Sequence, residues 1–217
     1  MINLLTIERE YGSGAGDIAR KLSDRLGWKL WDQLLTDRIA RRLQCGSRDI
    51  EAQEERKDPI YYRLFKAFLR GSYEGSMNTQ VMKIADAESI RKVSEQLVRE
   101  AGSEGNAVIV GRGSAYYLRD RPDSFHVFIY APFEERVRRL QQKGKSQEEA
   151  IQLAETVDLD RAAFIKQYFG IEWPARQFFH LMVNSTMGDE AAVEMVLEGL
   201  SVMQKSQNSN VLRPGIN

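Results

Sequence analysis

The chain has 217 residues, 31 Lys and Arg against 31 Asp and Glu, and 42% hydrophobic residues. That is enough for one domain with a sizeable core, and the zero net charge argues against a protein that grips nucleic acid through bulk charge. A single cysteine, Cys45, excludes an intrachain disulfide and a cysteine-based metal cluster.

Residues 2–7, INLLTI, are a short apolar run closed by polar residues, which predicts a buried strand. Glycines 12, 14 and 16 follow, and then IARKLSDRLGW sets Ile18, Leu22 and Leu26 at helical spacing with Gly27 as the stop. WKLW at 28–31 reads as a second short strand and LLTDRIARRL at 34–43 as a helix. Residues 44–58 are densely charged and read as a linker or a solvated helix. Helices are predicted over 59–74 and 77–101, the second burying Val81, Ile84, Ile90, Val93 and Leu97. AVIVGR at 107–112 is the strongest central-strand signal, followed by FHVFIYA at 125–131 and HLMVN at 180–184. Helical patterns fill 133–143, 147–168 and 189–204, and a polar tail is expected to fray. No apolar run approaches the ~18 residues of a membrane span. The start of the chain has no basic stretch leading into an apolar one, so a secretion signal is not expected and a cytosolic, reducing location is.

Strands that are apolar throughout and separated by helices imply a parallel sheet covered on both faces. Ligands of such sheets sit beyond the carboxyl ends of the strands. Three glycine-rich or charged segments begin there: Arg9–Gly16, Gly111–Gly113, and the stretch from Ala131 onward.

A glycine loop between a strand and a helix holds phosphate by turning backbone N–H groups inward and adding the helix dipole. Gly12, Ser13, Gly14, Ala15, Gly16 and Asp17 are the candidates for that contact. The pattern GxxxxGK[ST] adds a lysine for the outer phosphates and a hydroxyl for Mg²⁺; here Ala15, Gly16 and Asp17 stand in their place, and both side chains are missing. Arg9, where the first glycine is expected, is the candidate to supply the lost cation. A tight turn that binds nothing is the alternative, and the loop alone does not decide between them.

IEREYGSGAGDIARKLSDRLGWKLWDQLLTDRIA resembles the start of the cytidylate kinases, and more closely the divergent cytidylate kinase-like family with its REYGSG loop and degenerate phosphate motif. The resemblance continues at VIVGRG, APFEERVRRLQQKG, VDLDRA and VNST, and is loose over 44–100. It implies an α/β, three-layer P-loop kinase fold: a parallel five-stranded sheet with helices on both faces, a helical acceptor-binding insertion at about 44–104 and a lid at about 140–172. It also implies roles. Asp32 and, six residues on, Arg38 would meet the acceptor monophosphate. Gly111 and Arg112 match a GRD motif whose acid is replaced by Gly113. Arg136, Arg138 and Arg139 match lid arginines, with Arg136 and Arg139 candidates for catalysis, and Asp158 with Arg161 match a DxxR pair. An arginine of the family is Ala154 here.

The activity so implied is transfer of the γ-phosphoryl group of ATP or GTP to CMP, dCMP or a related small acceptor, with Mg²⁺ held through water by Glu8 or Asp32. Catalysis would rest on Arg9, Arg136, Arg139 and Arg161, because phosphoryl transfer needs alignment and positive charge more than covalent chemistry. Two other readings stay open: a nucleotide-binding regulator without turnover, and a scaffold that binds no nucleotide. The partner expected is a small-molecule nucleotide, with a homodimer as a further option, and neither nucleic acid nor membrane. Each arginine also has a plainer reading, a solvated ion pair such as Arg138 with Glu135. His126 and His180 are expected to pack, and Cys45 to be inert.

Overall fold

The computed structural model describes residues 1–46 and 87–211. The predicted helix 59–74, most of the charged stretch 44–58 and the start of the predicted helix 77–101 lie outside the described residues, with Val81 and Ile84 among them. The described elements are β1 (Leu4–Arg9), α1 (Ala15–Leu26), β2 (Lys29–Trp31), α2 (Gln33–Gly46), α3 (Ala87–Glu104), β3 (Ala107–Val110), α4 (Ser114–Tyr117), β4 (Ser124–Tyr130), α5 (Phe133–Gln142), α6 (Gln147–Phe169), β5 (Leu181–Asn184) and α7 (Asp189–Val211).

The five strands form one sheet in the order β2-β3-β1-β4-β5, every pair parallel. β1 lies at the centre, with Ile7 opposite both Val110 and Val127, so its apolar sequence has helices to meet on each face. Leu5, Ile7, Val108, Val110, Val127 and Ile129 pack with α1 and α7 through Ile18, Leu22, Val193 and Val196. Leu4, Trp31 and Ile109 face the other way, onto Leu35, Leu97, Tyr116 and Phe164. A third, smaller cluster joins α5 to α6 and to Tyr11 through Leu140, Ala150, Ala154 and Val157. The chain leaves β1 toward β2 and leaves β3 toward β4. These opposite departures open a crevice at the carboxyl edge of the sheet.

β1 spans Leu4–Arg9 rather than 2–7, and α7 continues to Val211, into the tail expected to fray; two further boundaries differ from the sequence reading for a local reason. α1 begins at Ala15, three residues before the first apolar position, because Gly14 at φ 81° turns the chain directly into the helix. β3 stops at Val110 rather than continuing to Arg112. Gly111, Arg112 and Gly113 take φ of 65°, 60° and 68°, which no strand accommodates. The next turn, α4, carries no helical period of its own and went unread.

His126 and His180 do pack, and they also join β4 to the chain entering β5. The His126 N–H donates to His180 Nδ1 at 2.9 Å, the His180 N–H donates to the His126 carbonyl at 2.8 Å, and His126 Nδ1 lies 2.7 Å from Thr6 Oγ1. Burial, with His180 adding to it, pushes His126 down to about 4. A folded-state value below the unfolded 6.5 means that the native state binds fewer protons between those limits, so this contribution is present above pH 6.5 and is lost as pH falls toward 4. Urea unfolding from pH 7 to pH 4 is expected to show stability falling by up to about 3 kcal/mol from this group, and a His126→Asn variant should show a correspondingly flatter profile.

Candidate active site

The glycine loop sits at the carboxyl end of β1, at the mouth of the crevice. Gly12 and Gly14 both have φ of 81°, and α1 starts on Gly14 with no side chain capping its first amides. An open cleft lies over the loop, lined by Arg9 through Gly16 together with Lys143 and Arg161. A helix N-terminus without a side-chain cap, at the floor of a polar cleft, is a place for an anion. Gly14, the last glycine before α1, stands for the motif's second glycine, which puts Arg9 where the first would stand and Ala15 where the lysine would.

The loop is clamped from outside. α5 packs so closely on it that a Cβ on Gly12 would lie 3.1 Å from both the Cβ and the carbonyl oxygen of Arg136. Arg139 Nη1 donates to the Ser13 carbonyl and, at 2.9 Å, to Ser185 Oγ, while Nη2 donates to the Ser185 carbonyl at 2.9 Å. Arg136 Nη1 donates to the carbonyls of Tyr11 and Ala154, each at 3.2 Å, and to Asp158 at 2.7 Å. Asp158 also accepts the Tyr11 N–H at 3.0 Å, and Arg161 Nη1 bridges Asp158 and the Arg9 carbonyl at 3.0 Å each. Arg138 turns away and pairs with Glu135 on the exposed side of α5.

Beneath the loop lies a buried charge cluster. Glu8, Arg9, Asp32, Arg112 and Arg161 are each no more than 5% exposed. Glu8 and Arg9 end β1, Asp32 follows β2, and Arg112 follows β3, so the sheet order alone gathers them. Three guanidinium groups face three carboxylates, Asp158 joining Glu8 and Asp32 at 3.0 Å from Arg161. Burial raises Glu8 above the usual carboxylate value, with Arg9, Arg161 and Arg112 pulling it back. Burial lowers Arg112 to about 10; Arg161 also falls to about 10, by burial and then by its neighbour Arg9, so both stay protonated at neutral pH. These opposed charges lie where water screens them little.

Arg9 does not occupy the lysine's place. Its guanidinium lies against Gly111, where a Cβ would fall 1.8 Å from Nη1, so the side chain spans from β1 to the 111–113 turn. Arg112 and Gly111 thus meet the loop through Arg9. Arg38 is placed elsewhere: it stacks on Trp31 at 4.5 Å and faces Glu104 at 3.8 Å, beside Lys29. Asp17 opens onto solvent, 2.7 Å from Arg20 and 3.9 Å from Lys143. The structure therefore brings together Arg9, Gly12–Asp17, Asp32, Gly111, Arg112, Arg136, Arg139, Asp158 and Arg161. It leaves Arg38 apart. The sequence reading missed Lys143, although its spacing of four residues from Arg139 placed it on the same helical face.

This sheet order, with a glycine loop running from the central strand into α1, defines a P-loop kinase fold. The chain belongs to the cytidylate kinase-like family, whose model matches residues 4–187. No curated protein matches it. Among solved structures it is similar to an uncharacterized protein from Eubacterium ventriosum ATCC 27560, at 18% identity and TM-score 0.63, covering 91% of this chain and 97% of that one. It is also similar to the shikimate kinase of Acinetobacter baumannii solved with shikimate, at 16% identity and TM-score 0.51, covering 98% and 97%. A sugar kinase from Janibacter sp. HTCC2649 follows at 14% and 0.50, covering 93% and 95%. Identities this low show a shared fold. Among the described residues no helix is long and apolar enough to cross a membrane.

Two substitutions test this geometry. Asp158→Ala removes the acceptor shared by Tyr11, Arg136 and Arg161, and should lower unfolding stability by about 2–4 kcal/mol in urea titration. Gly111→Ala forces a left-handed alanine and a clash with Arg9, and should cost about 1–3 kcal/mol; combined with an Arg9 truncation, its added cost should shrink, because the clash is then gone.

Proposed function

We propose that the protein is a phosphotransferase that takes a nucleoside triphosphate at Gly12–Gly16 and passes its terminal phosphoryl group to a small acceptor, CMP or dCMP being the first choice because of the family. The observation that carries the reading is the pairing of an anion-receptive glycine loop with a buried cluster of arginines directly beneath it. Backbone N–H groups of the loop hold the donor phosphates, and ATP or GTP serves equally on these contacts. Arg161, on the wall of the cleft, and Arg112, below it, supply the charge that balances the transferred group. The segment of about 140–172 acts as the lid. Arg136 and Arg139 work by holding the loop's carbonyls outward, which makes them positioning residues.

Mg²⁺ would neutralise phosphate charge when bound with the nucleotide. Among the described residues no group of three or more His, Cys, Asp or Glu could cage a metal. Mg²⁺ usually keeps several waters and takes one or two carboxylates plus the substrate's phosphates. Glu8 and Asp32 fit that lesser demand: both are buried at the strand ends, and Glu8 Oε1 makes no hydrogen bond.

The second reading, a nucleotide-binding regulator without turnover, is favoured by the missing lysine, with Ala15 in its position. Calorimetric titration with ATP and GTP, with and without Mg²⁺, followed by a transfer assay on CMP, dCMP and other small acceptors, separates the two. Binding in the micromolar to sub-millimolar range with transfer supports the phosphotransferase. Binding without transfer to any acceptor supports the regulator, and no binding removes both.

A further inference from the structure

We propose that Lys143 supplies, from the end of α5, the phosphate-binding cation that the loop lacks at position 15, and that Asp17 keeps it beside the loop until nucleotide arrives. The inference rests on the reading of the loop as a triphosphate site.

Three observations carry it. Lys143 is the lysine among the residues lining the cleft over Gly12–Gly16. Its backbone is fixed relative to the loop. The Lys143 N–H closes α5 by donating to the Arg139 and Leu140 carbonyls at 3.2 and 3.1 Å, and the same α5 is pinned to the loop through Arg139, Leu140 and Arg136. Its ammonium lies 3.9 Å from the carboxylate of Asp17, two residues past Ala15, which opens α1 where the motif has lysine. The cation has thus moved from the helix that follows the loop to the helix that clamps it.

The charges make Asp17 intelligible. An acid on the first turn of α1 repels phosphate. Arg20, one turn on, pairs with Asp17 at 2.7 Å and offsets that repulsion. Lys143 makes the looser contact, and its side chain is half exposed, so it exchanges readily. With Asp17 held by Arg20, the net charge of the three groups is positive, and the ammonium is free to swing onto the outer phosphates. Lysine suits this better than arginine, being a compact point charge on a flexible stem.

The test uses the full chain and calorimetric titration with ATP. Lys143→Gln should weaken binding about ten-fold or more, the loss expected for one charge-assisted hydrogen bond. Lys145→Gln, outside the cleft and paired with Glu149, should leave it unchanged. The decisive variant is Ala15→Lys in the Lys143→Gln background: restoring a lysine at the motif's own position should recover most of the lost affinity, which a merely structural role for Lys143 would not predict. Unfolding midpoints confirm that each variant is folded. If the wild type binds ATP and Lys143→Gln binds equally well, the proposal falls while the triphosphate site stands. If Lys143→Gln binds weakly and Ala15→Lys fails to rescue it, the proposal falls as well. If the wild type binds no ATP, both fall together.

Discussion

One carboxylate holds the upper part of this molecule together. Asp158, on the long helix α6, accepts a backbone N–H of the loop entry and two guanidinium groups from different places in the chain. It ties α6 to the loop beyond the small apolar cluster around Leu140 and Ala154. It fixes Arg136 and Arg161 as they donate to the Tyr11 and Arg9 carbonyls, while Arg139, held by Glu135, takes the Ser13 carbonyl, so these acceptors of residues 9–13 face the clamp. An anion site made from backbone depends on this orientation, since a carbonyl turned inward would oppose the phosphate it is meant to hold.

Lid arginines implied by a resemblance are commonly assigned to the reacting phosphoryl group. Here α5 divides its own. Arg136 and Arg139 share one face and are absorbed by loop carbonyls, whereas Arg138 points to solvent with Glu135, whose carboxyl Arg138 and then Arg139 hold down to about 2. A substrate in the cleft would meet Arg161 on its wall and Lys143 at its rim.

Much of this was legible in the chain. Uninterrupted apolar runs such as LLTI and AVIV fixed a two-sided sheet, and the sheet rule then put Arg9–Gly16 and Gly111–Gly113 at one edge. The helix ends at Gly27 and Gly170 follow from glycines that take the left-handed turn. What could not be read was which arginine faces what. Arg139 and Ser13 are 126 residues apart, and Arg161 and Arg9 are 152 apart. Helical spacing says which side chains share a face, not which carbonyl waits opposite. Arg38 shows the same limit: its six-residue spacing from Asp32 matches, but a neighbouring tryptophan ring and Glu104 claim the guanidinium. For Arg9, the absent Cβ of Gly111 decides the direction, and nothing local to Arg9 reveals it.

The three left-handed residues at 111–113 bear on how such a site can change. Gly113 takes φ of 68°, and a Cβ there would sit 3.3 Å from the ring of Phe169 and 3.4 Å from that of Tyr117. An aspartate at this position would meet backbone strain and ring crowding at once. The missing acid is therefore not one exchanged letter that a single reversion could undo. The turn, the aromatic pair behind it and the glycine are one commitment, and an acidic contact to an acceptor would have to be grown from another part of the crevice.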